Sequence, residues 1–128
     1  MRRHCERGAA AVEMALVLPV LILLVLGITE FGRAYNAQVT LTNAAREGVR
    51  VMAISKDPAL AKARAVSASS TLHPPLPLGN VSASACSAAA ATSLPPQTTV
   101  TITYQLSTLT GIAGPFTLKA TGVMTCGG

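Results

Sequence analysis

The sequence predicts an α+β fold: a long N-terminal membrane-spanning helix that extends into a small exported head with a short helix and antiparallel strands. Three observations predict it. Residues 8–29 are apolar or small except for Glu13. Residues 30–53 keep apolar or small side chains at spacings of three and four, which is typical of a helix. Residues 98–107 alternate apolar and polar side chains, which is typical of a half-buried strand.

The apolar run is long enough to cross a bilayer. At about 1.5 Å per residue, residues 8–29 span roughly 33 Å, and a hydrocarbon core is about 30 Å thick. Pro19 and Gly27 lie within the run, and both residue types are tolerated in membrane helices. We therefore predict a basic leader over residues 1–8 and a transmembrane segment over residues 9–29.

Arginines before the run predict its orientation. Arg2, Arg3 and Arg7 precede it, and cytoplasmic flanks carry an excess of basic residues. The N-terminus is therefore expected inside and the rest of the chain outside. The alternative is a cleaved signal peptide, whose apolar core is usually 7–15 residues long and is followed by a small-x-small cleavage site. The run here is longer, and no clean site of that kind directly follows it. A lipoprotein is excluded because Cys5 precedes the run instead of following it.

Residues 30–53 are predicted to continue the helix outside the membrane. One helical stripe there is weakly apolar, and it is either a close-packing seam or the face that rests on the head. Its members are Phe31, Ala34, Gln38, Leu41, Ala45, Gly48 and Met52.

Residues 54–128 are predicted to form the head. Asp57 and Pro58 resemble an N-cap and a first helical residue, so a short helix is expected to about Ser70. Residues 73–80 are rich in proline and glycine and predict a loop. Strands are predicted over residues 98–107 and 116–126, with a weaker one over 80–86.

Two of the three cysteines are candidates for a disulfide. Cys86 and Cys126 end predicted strands in the exported region, where disulfides persist, whereas Cys5 is expected to be cytoplasmic and reduced. Closing a loop of this length contributes about 4 kcal/mol on the chain-entropy model. The alternative is two free thiols in a different compartment.

Several functions are disfavoured by composition. The net charge of +5 comes from basic residues that flank an apolar segment, without the aromatic partners of a nucleic-acid interface. There is no CxxC, and His4 and His73 lie far apart in sequence, so neither a metal nor another cofactor is expected. His73 is the only histidine of the exported region, which leaves few groups for acid–base catalysis. We therefore expect a protein that is not an enzyme.

Glu13 needs a separate explanation, because a charge near the bilayer centre costs roughly 2.5–3.5 kcal/mol even on the mildest scale. One alternative places its carboxylate at the inner interface, in contact with headgroup water. In the other, the chain is cut after Gly8, and Ala9 gains a charged α-amine. Glu13 would then be the fifth residue of the mature chain and could pair with the amine of a neighbouring subunit.

The segment RGAAAVEMALVLPVLILLVLGITEFGRAYNAQVTLTNAAREGVR, residues 7–50, resembles the TadE-like family, minor pilins or pseudopilins of Flp (tight-adherence, type IVc) pili. The resemblance implies that a prepilin peptidase cuts between Gly8 and Ala9 and that Glu13 is a docking residue. It also implies partners among other pilins and pilus assembly proteins, a place in the bacterial cytoplasmic (inner) membrane, and a role in surface adhesion.

Two other functions stay open on the sequence alone. One is a single-pass membrane-anchored domain that binds a surface ligand and is not processed as a pilin. The other is a secreted protein that is cleaved after the apolar run and loses its anchor.

Overall fold

The computed structural model describes residues 3–87 and 95–126, with residues 3–7 described by their backbone alone. It has the predicted α+β fold. The elements in chain order are helix α1 (Arg3–Ser55), helix α2 (Pro58–Ala68), a 3-10 turn (Leu78–Asn80), and strands β1 (Val81–Ala83), β2 (Gln97–Leu106) and β3 (Phe116–Thr125). The strands form one antiparallel sheet in the order β1-β2-β3.

The chain divides into two compact units, Met1–Arg33 and Ala34–Gly128. In the described part of the N-terminal unit the chain is helical, as the first part of α1. The C-terminal unit contains the second part of α1 together with α2 and the sheet. Its apolar core lies between these elements.

The second part of α1 packs one face into the core of the C-terminal unit. Leu41, Ala45 and Met52, all on the predicted stripe, are buried. The stripe therefore rests on the head, which is the second of the two alternatives. The buried face is wider than predicted and also includes Ala37, Ala44, Val49 and Ala53.

Phe31 does not belong to this buried face. It is 75% exposed and lies in the N-terminal unit, so this end of the predicted stripe is not buried. The helix itself continues through Phe31, but the buried residues among the described side chains of α1 begin only at Ala37, in the C-terminal unit.

The connection between the two helices has the predicted cap. Lys56 adopts a positive φ of 55° just after α1, and its N–H donates to the carbonyl of Met52 at 3.0 Å. Asp57 then accepts a hydrogen bond from the N–H of Ala59 at 2.8 Å, with Pro58 as the first residue of α2. This capping satisfies one of the donors that a helix start leaves free.

The long strands agree with their predicted bounds to within one residue. On β2, Val100, Ile102, Tyr104 and Leu106 point into the core, as their alternation predicted. The hydroxyl of Tyr104 donates to the carbonyl of Pro74 at 2.8 Å, which anchors the proline-rich loop to the sheet.

The first strand is shorter than predicted. It covers only Val81–Ala83, whereas the residue pattern suggested 80–86. At Ser84 the backbone N–H still donates to the carbonyl of Thr99 at 2.9 Å, and the Ser84 carbonyl accepts from the hydroxyl of Thr98 at 2.6 Å. Ser84 Oγ also accepts from the N–H of Thr99 at 2.9 Å. Backbone pairing with β2 therefore continues past Ala83 at Ser84 and Ser87 with side-chain hydrogen bonds beside it, but it does not extend the regular strand.

Two glycines allow the elements to approach closely. A Cβ at Gly48 would lie 3.1 Å from the Cβ of Ala65 on α2. A Cβ at Gly122 on β3 would lie only 2.6 Å from the carbonyl oxygen of Ala45 on α1. The second contact is against backbone, which cannot move aside as a flexible side chain can, so β3 and α1 need glycine at this position.

We expect Gly122→Ala to lower the free energy of unfolding by about 1–3 kcal/mol, which is the typical cost of overpacking. The added methyl would force β3 away from α1. Gly79→Ala is the matched control, because a Cβ there would have nothing within 4 Å. Chemical denaturation of both variants in detergent measures the difference. Equal stability of the two variants would contradict the close contact.

Candidate functional site

The predicted cleavage junction lies inside a helix. Gly8 and Ala9 are both within α1, and both are exposed. A Cβ at Gly8 would have nothing within 4 Å, so the fold does not require glycine here. Glycine in a helix interior is destabilising by roughly 0.5–1 kcal/mol relative to alanine. The helix is thus locally weakened at the bond that the resemblance marks as the cut.

Apolar side chains are exposed on all sides of the helix that follows this junction. Leu16 is 71% exposed and Ile28 is 72% exposed. Others are Val12, Met14, Val17, Leu18, Val20, Leu21, Ile22, Leu23, Leu24 and Val25. A helix that is apolar all round is typical of a buried or membrane-spanning segment. Among the described residues, α1 is the one helix long and apolar enough to cross a membrane, and it fits a single-pass anchor.

Glu13 is the carboxylate within this apolar surface. It lies four residues after Ala9, about 6 Å along the helix axis and on the same side of the helix. Its side chain is exposed, and among the described side chains none forms an ion pair with it. By contrast, Glu30 lies 3.7 Å from Arg33 in the same helix. The Glu13 side chain is therefore accessible at the surface of the helix.

Cys86 and Cys126 form a disulfide, as predicted, with their Cα atoms 6.1 Å apart. The bridge closes a sequence separation of 40 residues. The N–H of Cys126 also donates to the carbonyl of Pro96 at 2.8 Å. The end of β3 is thereby fastened to the segment that follows β1, and the alternative of two free thiols is wrong.

The leader arginines can be placed only in part. Arg2 lies outside the described residues, and Arg3 and Arg7 are described by their helical backbone alone, as is Cys5. Within the part of the chain whose side chains are described, no group of three or more His, Cys, Asp or Glu could hold a metal ion.

Comparison with known proteins gives one finding. The family model described as TadE-like protein matches residues 8–50. No curated protein and no solved structure matches the chain significantly. The matched range begins at Gly8, includes Glu13 and the whole apolar run, and ends within the part of α1 that packs on the sheet. Over residues 8–50 the chain is therefore similar to TadE-like proteins.

Proposed function

We propose that the chain is a TadE-like minor pilin or pseudopilin that acts in the assembly of Flp-type (type IVc) pili for surface adhesion. In this role it is a structural subunit and not an enzyme. The observation that carries the proposal is Glu13, a carboxylate without a described ion-pair partner, five residues after Gly8 in a helix with exposed apolar side chains. The family match over residues 8–50 supports it.

Processing is the first step of the proposed function. A prepilin peptidase cuts between Gly8 and Ala9 and removes the basic leader. A protease needs access to the scissile backbone, and glycine at position 8 makes the helix easier to open there than alanine would. Nothing packs on Gly8 in the described structure, which leaves this junction accessible to a membrane-level peptidase.

Cleavage gives Glu13 its partner. The α-amine of Ala9 is a charged group only after the cut, and Glu13 then lies within about one turn of the new helix N-terminus. A carboxylate is favoured there because the N-terminal end of a helix dipole is positive. Amine and carboxylate are each unfavourable in lipid, so pairing between neighbouring helices favours a packed bundle over isolated subunits.

The proposed setting is the bacterial inner membrane, crossed once. The basic leader lies in the cytoplasm by the positive-inside rule, and the C-terminal unit lies outside. The Cys86–Cys126 disulfide supports this orientation, because disulfides persist in oxidising compartments. The partners are other pilins, pilus assembly proteins, the prepilin peptidase and the lipid of the membrane.

The mass of the mature N-terminus tests this function. In cells that contain the peptidase, we expect a chain that starts at Ala9. Gly8→Trp should stay uncleaved because its bulk blocks the scissile bond. It should still fold, since the site has no neighbours to clash with. Gly27→Trp is the matched control, because Gly27 lies in the same helix with nothing within 4 Å of its Cβ position, and this variant should be cleaved.

The same measurement separates the other functions. A wild-type chain that keeps Met1 in such cells would contradict processing and favour the unprocessed surface-binding anchor. A chain that starts after residue 29 would instead indicate a secreted protein that has lost its anchor.

A further inference from the structure

The loop between β2 and β3 exposes an apolar tip. Leu109 is 61% exposed, Ile112 is 81% exposed, and Phe116, the first residue of β3, is 40% exposed. No charged residue occurs between Arg64 and Lys119, so the loop and both strand ends beside it carry no charge. The sequence indicates only a turn here. We call residues 107–116 the apolar tip.

The backbone of the apolar tip is shaped to turn sharply. Gly111 and Gly114 have φ values of 67° and 70°, a region that side chains other than glycine rarely adopt. Loops are normally polar, and a group of exposed large apolar side chains marks a site of contact with something else.

Contacts within the C-terminal unit locate the apolar tip. Gln38 Nε2 donates to the carbonyl of Lys119 at 2.9 Å, and Gly122 lies against Ala45. Three residues of strand cover about 10 Å, and the seven residues of helix from Gln38 to Ala45 cover about the same length. Strand β3 therefore runs beside α1 in the same direction.

This alignment places the apolar tip at one end of the unit. Phe116 precedes Lys119 by three residues, so it lies about 10 Å further toward the end of the unit that contains Ala34. The loop continues beyond it. Ala34 is also where the chain enters the unit from the predicted span, which ends only a few residues earlier at Thr29. The disulfide at Cys126 lies beyond the opposite end of β3.

We propose that the apolar tip inserts into the outer headgroup region of the bilayer that α1 spans. Apolar side chains without neighbouring charge partition into this region, as the apolar faces of interfacial helices do. The tip has this composition and lies at the end of the unit that is joined to the span. The C-terminal unit would then have a second attachment to the membrane besides α1. This inference goes beyond the proposed function and does not depend on cleavage of the leader.

Tryptophan fluorescence tests the proposal without background, because the chain has no Trp. The full chain carrying Ile112→Trp is reconstituted at low density into phosphatidylcholine vesicles with and without lipid that bears a quencher near its headgroup. We expect a blue-shifted emission that the quenching lipid reduces. Leu109→Trp is a second reporter in the same tip and should behave alike.

Two control variants give the comparison. Ile54 is 74% exposed and lies near the far end of α1 in the same unit, so Ile54→Trp should show the emission of a tryptophan in water and little quenching. Leu21→Trp lies in the span and reports its insertion separately from the tip. Water-like emission from both Ile112→Trp and Leu109→Trp, beside a quenched Leu21→Trp, would overturn the proposal. So would a blue shift that vanishes on dilution of the protein in the membrane, since it would show contact between copies.

Discussion

Glu13→Ala is expected to abolish incorporation of the chain into a pilin assembly while leaving its membrane insertion intact. In the assembled bundle the substitution removes one partner of a buried pair and leaves an ammonium uncompensated, which typically costs 3–5 kcal/mol. That corresponds to a loss of about a hundredfold or more in affinity. Insertion should be equal or better, because the carboxylate no longer has to enter lipid. Co-purification with partner pilins at matched expression measures the first effect, and membrane fractionation measures the second.

Matched variants separate charge from shape. Glu13→Gln keeps the size of the side chain but removes its charge, and it should fail as Glu13→Ala does. Val17→Ala shortens an exposed side chain one turn further along the same helix and should assemble normally. If Glu13→Ala recovers partners as well as the wild type, the carboxylate only meets water and headgroups, and the docking role is wrong.

Removing the disulfide is expected to give the largest loss of stability in the C-terminal unit. The double variant Cys86→Ala, Cys126→Ala reopens a loop with a sequence separation of 40 residues. Chain entropy predicts a loss of about 4 kcal/mol. For a unit of this size the midpoint of thermal unfolding should fall by roughly 15 to 30 °C. Circular dichroism of the strand signal in detergent measures it.

Cys5→Ala provides the control for this experiment, because Cys5 is not part of the bridge and its loss should leave the midpoint unchanged. Treating the wild type with a reductant should reproduce the behaviour of the double variant. A double variant as stable as the wild type would show that the core alone holds the sheet. The bridge would then be dispensable for the fold.

The features that could be predicted from the sequence are those that depend on nearby residues. The length of the apolar run indicated a membrane-spanning helix without any tertiary information. Asp57 and Pro58 marked the start of α2, and the alternation along β2 identified its buried face. Gly8, Ala9 and Glu13 lie within two turns of one helix, so their spacing could be predicted locally, whereas their role as a site stays a prediction.

Other features depend on residues that are distant in sequence. The disulfide could be predicted only because two cysteines, and no others, fell in the exported region. The extent of the buried face of α1 could not be predicted, because it depends on how much of the helix the sheet covers. Phe31 has the right spacing for that face but lies before the C-terminal unit begins.

The sequence by itself determined the α+β composition, the spanning helix and the position of Glu13 within it, since each follows from local periodicity, length or charge. Only the tertiary structure decided that Gly122 must be glycine and that the apolar tip lies at the Ala34 end of the C-terminal unit. Both follow from the alignment of β3 with α1. That alignment joins residues about eighty positions apart through the close approach of Gly122 to the Ala45 backbone and the hydrogen bond from Gln38 to Lys119, and no local pattern in the sequence encodes it.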